Sequence, residues 1–205
     1  MDPLARISDT NLLHPTVSGL AAGLVADLKA AGIPLEPYET FRNPERQVEL
    51  YKRGRVAGCG PLGRYVTHDT AWTSRHQYGT AVDMVFKVGG KWTWAEPEAG
   101  MWKRFHELAA KHELNTLTRK DGSVIEWPHV QHSWPLIKLR NGEYPPTPSA
   151  EFGPGKAWAD YLNAATFRWG PKPRRIAAVD HPAAPPRAVV DAERPALDSD
   201  VFPSP

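Results

Sequence analysis

The chain has 205 residues, enough for one domain with a real core and too few for two large ones. Hydrophobic residues make up 41% and charged residues 23%, an ordinary globular balance, and no run approaches the roughly 18 apolar residues that a membrane helix needs. A formal charge of +2 gives no reason to expect nucleic acid, and the single cysteine, Cys59, excludes an intramolecular disulfide and any cysteine-built metal site.

In chain order, Leu20, Leu24 and Leu28 recur at spacings of four among alanines, predicting an amphipathic helix over 17–31 that stops near Gly32. Residues 33–39 read as a short extended stretch. Asn43-Pro44-Glu45 then gives a cap, a proline at the first helical position and an acid against the helix dipole, so a second helix is expected to about Arg53. Residues 55–73 lack periodicity and read as a long loop, in which Cys59 is a plain structural or surface thiol. Ala81–Lys87, Gly89-Gly90 and Lys91–Trp94 form a hairpin signal. Met101, Trp102, Phe105, Leu108 and Ala109 predict a helix over 97–114, and Val124–Val130 predicts a strand. The order implies an α+β domain with a small antiparallel sheet flanked by helices. A last helix is expected over 157–165, closing a domain of residues 1–170. From Pro171 the composition turns to proline and alanine, predicting a disordered tail over 171–205.

Two segments carry chemistry, Ser74-Arg75-His76-Gln77-Tyr78-Gly79-Thr80-Ala81-Val82-Asp83 and Glu126-Trp127-Pro128-His129. Two imidazoles and a carboxylate can hold a divalent metal and leave a position open, as a catalytic zinc requires, and Glu126 is then a spare carboxylate able to act as base. Strand parity adds a condition. His76 and Asp83 are seven apart and Glu126 and His129 three apart, so within regular strands neither pair shares a face. The chain must therefore bend, at Gly79 through a positive φ and near Pro128, which lacks a ladder donor. His132 is the rival ligand; His106 and His112 fall on different faces of their helix.

The pattern Ser-x-His-x-x-Gly-x-Ala-x-Asp followed by Glu-x-x-His resembles the zinc peptidases of the VanY and L-alanyl-D-glutamate peptidase type, which share a fold with lysostaphin and the hedgehog signalling domain. The resemblance covers residues from about 17–135, which it makes the core of the domain, and implies that His76, Asp83 and His129 bind Zn2+ and that Glu126 is the catalytic base. The run Glu39-Thr40-Phe41-Arg42-Asn43-Pro44-Glu45-Arg46-Gln47 is similar to the family's arginine segment and implies that Arg42 faces the substrate carbonyl, stabilising the oxyanion. Ser74 and Gly79 are expected to support the loop first and a substrate group second. Trp127, between base and ligand, is the tryptophan of the eight whose role outside the core is worth testing. The chain departs from many relatives before the last ligand, where Thr118-Arg119-Lys120-Asp121-Gly122 replaces a stretch rich in glycine, tryptophan and aspartate.

The function expected is hydrolysis of a peptidoglycan stem-peptide bond, L-alanyl-D-glutamate first and D-alanyl-D-alanine carboxypeptidase second. A non-haem iron oxygenase and a zinc-binding module without catalysis are the readings from other classes. A monomer is expected. Met1-Asp2-Pro3-Leu4 begins no signal peptide, which leads to an expectation of cytoplasmic synthesis and phage-type release at lysis.

Overall fold

The structure is a computed structural model and describes residues 2–145. The expected helix over 157–165 and the tail from Pro171 lie outside the described residues.

Among the described residues four α-helices flank one antiparallel sheet. α1 is Pro15–Ala30, α2 Pro44–Lys52, α3 Met101–Lys111 and α4 Leu136–Arg140; β1 is Leu35–Glu39, β2 Ala81–Val88, β3 Lys91–Thr93, β4 Leu114–Thr116 and β5 His129–His132. α1 begins two residues before the periodicity suggests, because Pro15 fits the first helical position and the His14 ring accepts the Thr16 N–H at 3.3 Å. α3 ends at Lys111 rather than 114: Glu113 takes a φ of 55°, a left-handed turn that releases the chain into β4. The strand expected over 124–130 is displaced to β5, and residues 118–124 instead make a turn closed by a Thr118–Val124 bridge. No helix among the described residues is long and apolar enough to cross a membrane.

The sheet runs β1-β2-β5-β4, and β3 pairs the far end of β2. Val82, Met84 and Phe86 of β2 alternate onto one face and pack against Val17, Leu24 and Leu28 of α1 and Phe105 and Leu108 of α3. Asp83 therefore points to the opposite face. In the ladders Asp83 lies opposite His129 on one side and, across a register irregularity between Pro37 and Glu39, opposite Glu39 on the other. One rung across three strands thus carries Glu39, Asp83 and His129.

Candidate metal centre

His76 sits on a 3-10 helix, Arg75–Tyr78, that precedes β2. Ser74 and Gln77 form a reciprocal capping box at its start, and Gly79 ends it at φ 65°, ψ 27°, a conformation that costs a residue with a Cβ about 1–2 kcal/mol. The Gly79 carbonyl accepts the His14 N–H at 2.8 Å, tying this turn to the start of α1. The reversal at Gly79 lets His76 fold back over Asp83, which β2 presents from the face away from the main core. His129 opens β5 immediately after Pro128, whose carbonyl accepts the Met84 N–H at 2.8 Å.

His76 Nε2 lies 3.2 Å from Asp83 Oδ1 and 3.3 Å from His129 Nδ1, and His129 Nδ1 lies 2.9 Å from Asp83 Oδ1. Tetrahedral ligands about 2.0–2.1 Å from a zinc ion stand about 3.3 Å apart, so the spacing fits. Tautomers point the same way. His76 Nδ1–H donates to the Thr40 carbonyl at 2.8 Å, leaving Nε2 with a lone pair. His129 Nε2–H donates to Gln131 Oε1 at 3.1 Å, leaving its Nδ1 likewise. Three lone pairs then converge at close range, an arrangement that needs a proton or a cation between them. Among the described residues this is the group of His, Cys, Asp or Glu side chains able to hold a metal.

The electrostatics agree. Burial pushes the Asp83 carboxyl up, but His76 and His129 outweigh it and hold the group well below the usual carboxylate range. Burial pushes His129 down, and the hydrogen bond and charge of Asp83, with Glu126, reverse the sign and raise it. A field that favours positive charge at His129 favours a divalent cation in the proton's place.

Glu126 precedes β5, with Oε2 4.0 Å from His129 Nδ1 and a side chain 44% exposed, so it reaches both the cluster and water. Arg42 is buried behind Asp83. Its Nη2 donates to Asp83 Oδ2 at 3.3 Å and to Glu39 Oε2, and its Nη1 donates to Gln47 Oε1 at 3.0 Å. Asp83 thus offers Oδ1 to the cluster and rests Oδ2 on Arg42. Among the described residues the buried Arg42 Nε has no hydrogen-bond partner. His132 accepts the Trp134 N–H on Nδ1 and stands apart from the cluster. All five chemical residues, His76, Asp83, His129, Glu126 and Arg42, line one cavity of about 300 Å³.

Three residues at this site have roles that the sequence reading does not assign. Gln131, which orients His129, is two residues on and so on the same strand face, a parity signal available in advance. Gln47 bridges Arg42 to the Asp69 carbonyl, and Asp69 itself lines the cavity, where desolvation raises its carboxyl against Arg42, His129 and His76. No sequence pattern marks either. Replacing Gln131 by Leu removes the acceptor that fixes His129, and metal affinity is expected to fall about 10–100-fold in a competition titration with a chelating dye.

The family model described as VanY: D-alanyl-D-alanine carboxypeptidase matches residues 10–133. The peptidoglycan L-alanyl-D-glutamate endopeptidase CwlK of Bacillus subtilis (strain 168) is 37% identical over 83 residues, 40% of this chain and 47% of that protein. The chain thus spans about half the length of this curated relative. Two solved structures are similar. The LdcB LD-carboxypeptidase is 22% identical over 62% of this chain and 70% of its own, with a TM-score of 0.45. The Serratia marcescens L-Ala D-Glu endopeptidase ChiX is 20% identical over 64% of this chain and 92% of its own, with a TM-score of 0.41. Because residues 10–133 are more than half of the 205 and take in every member of the cluster, the chain belongs to the VanY family.

Proposed function

We propose that this protein is a zinc-dependent peptidase of peptidoglycan, hydrolysing a stem-peptide bond, with L-alanyl-D-glutamate the first reading and terminal D-alanyl-D-alanine the second. The observation that carries it is the convergence of His76 Nε2, Asp83 Oδ1 and His129 Nδ1 beside a carboxylate, Glu126, that is left for proton transfer. His76, Asp83 and His129 would hold the zinc, whose chemistry when bound is Lewis acidity, lowering the pKa of a ligated water toward roughly 7. Glu126 takes the proton of the attacking water and returns it to the leaving amine, within reach of both because it stands at the cavity edge. Arg42 fixes Asp83 through Oδ2, and its charge favours the oxyanion that develops as the carbonyl is attacked. Ser74 and Gly79 hold the turn that carries His76.

The endopeptidase reading is supported by the likeness to CwlK, and the carboxypeptidase reading by the description of the family. Mass spectrometry of purified peptidoglycan fragments after digestion separates them. New L-alanine carboxyl ends and D-glutamate amines support the first, and loss of terminal D-alanine the second. Intact stem peptides after treatment with zinc-loaded protein would sink both, and stoichiometric iron with oxoacid-dependent turnover would replace them with the oxygenase. The same proposal has the protein made in the cytoplasm and reaching the wall at lysis; a processed, exported form would overturn that part.

A further inference from the structure

Glu126 lies between a turn closed by the Thr118–Val124 bridge and the start of β5, and among the described residues no hydrogen bond holds its own backbone. Ile125 N–H donates to the Leu117 carbonyl and the Pro128 carbonyl accepts from Met84, but Pro128 has no N–H to give. What fixes the residue after Glu126 is His106, on α3. Its Nε2–H donates to the Trp127 carbonyl at 2.8 Å, and its ring lies flat on the Trp127 indole, 5.1 Å between centroids and 6° between planes. α3 is in turn held by Phe105, Leu108 and Ala109, all buried in the main core. Burial pushes the imidazole pKa down, against the pull of the Trp127 carbonyl, so the ring is a neutral donor.

From this geometry we propose that His106 is a positioning residue for Glu126: a two-point clamp, one hydrogen bond and one ring face, that joins the rigid helix to the residue next to the base. It rests on the reading of Glu126 as base. The clamp also gives Trp127 a role outside the core, since one indole face is taken by His106. Its effect belongs to turnover, because His106 touches neither the ligand cluster nor the cavity wall.

The test is steady-state kinetics on soluble stem-peptide fragments, with zinc content measured on the same samples. His106→Ala and His106→Phe, the second keeping a ring but not the donor, are expected to lower kcat about tenfold with KM and zinc content unchanged. His106→Gln, which restores an N–H donor, is expected to recover most of the loss. In a Glu126→Gln background, His106→Ala is expected to remove nothing further, since a clamp has no value once its base is gone. Wild-type kcat in His106→Phe, a loss that follows zinc content, or a full further loss in the Glu126→Gln background would each overturn the clamp. Undiminished activity of Glu126→Gln alone would overturn the base, and the clamp with it, so the two failures are distinguishable.

Discussion

Glu126→Gln is expected to lower kcat by about 10²–10⁴-fold while metal content and thermal stability stay at wild-type levels. The exchange keeps the shape and removes the proton acceptor. Stability is spared because the side chain is 44% exposed and, among the described residues, its ion-pair partner is His129 Nδ1 at 4.0 Å, too far for a hydrogen bond. Metal content is spared because the three converging atoms belong to His76, Asp83 and His129. Turnover on a defined stem peptide with metal analysis on the same preparation makes the comparison. A variant that turns over like wild type would require another acceptor on the cavity wall, and Asp69 is the remaining carboxylate there.

The second large effect is on stability and metal together. Arg42→Ala is expected to destabilise the fold by about 3–5 kcal/mol, the range for breaking a buried ion pair from one side, and to weaken metal binding about 10–100-fold. Arg42 Nη2 serves two carboxylates that are each only 2% exposed, Glu39 and Asp83. Without it Glu39 keeps Arg46, whose Nε donates at 2.5 Å, but Asp83 loses the donor on Oδ2 that leaves Oδ1 for the cluster. Lysine does not substitute, since a single ammonium cannot reproduce the fork.

A pH signature accompanies the loss. Burial pushes the Glu39 carboxyl up, yet Arg42 and Arg46 outweigh it and its pKa is lowered. A lowered carboxylate contributes stability that is present above the ordinary glutamate range of about 4.3 and is lost as pH falls through the folded-state value beneath it. The gap in urea stability between wild type and Arg42→Ala is therefore expected to be full near neutral pH and to narrow in acid. A variant with wild-type stability and metal affinity but no activity would instead assign Arg42 to the substrate alone.

Much of this architecture is local and was legible. Helical spacing in α1 and α3, the Asn43-Pro44 start of α2 and the paired glycines after β2 all follow from short-range rules. What was misread depends on pairing at a distance. β4 is three residues long and follows a helix whose apolar pattern runs on to Leu114; His112 and the left-handed Glu113 separate them. β5 begins at 129 because the run before it has its own turn, which composition hides. The cluster was legible in its members, and the parity of His76 and Asp83 called for a turn where Gly79 stands in the left-handed region. The supports were not: Gln47, His106 and Glu39 act through partners that only the fold brings near, and a long-range contact leaves no mark on the sequence around either end.

The rung that carries Asp83 opposite His129 has a consequence for how such a protein can change. The two residues are 46 positions apart in the chain yet adjacent across a ladder. Everything between them, the hairpin, α3 and the turn at 118–124, is an excursion that leaves one strand and returns to the next. Its entry and exit are fixed by the pairing of β2 with β5, and α3 and β4 within it are held by the main core and by β5, which leaves the turn at 118–124 as the part closed by its own Thr118–Val124 bridge. Substitutions in the Thr118–Ser123 turn, which follows the cavity-lining Leu117, can therefore be absorbed without displacing Asp83 or His129 from their shared rung.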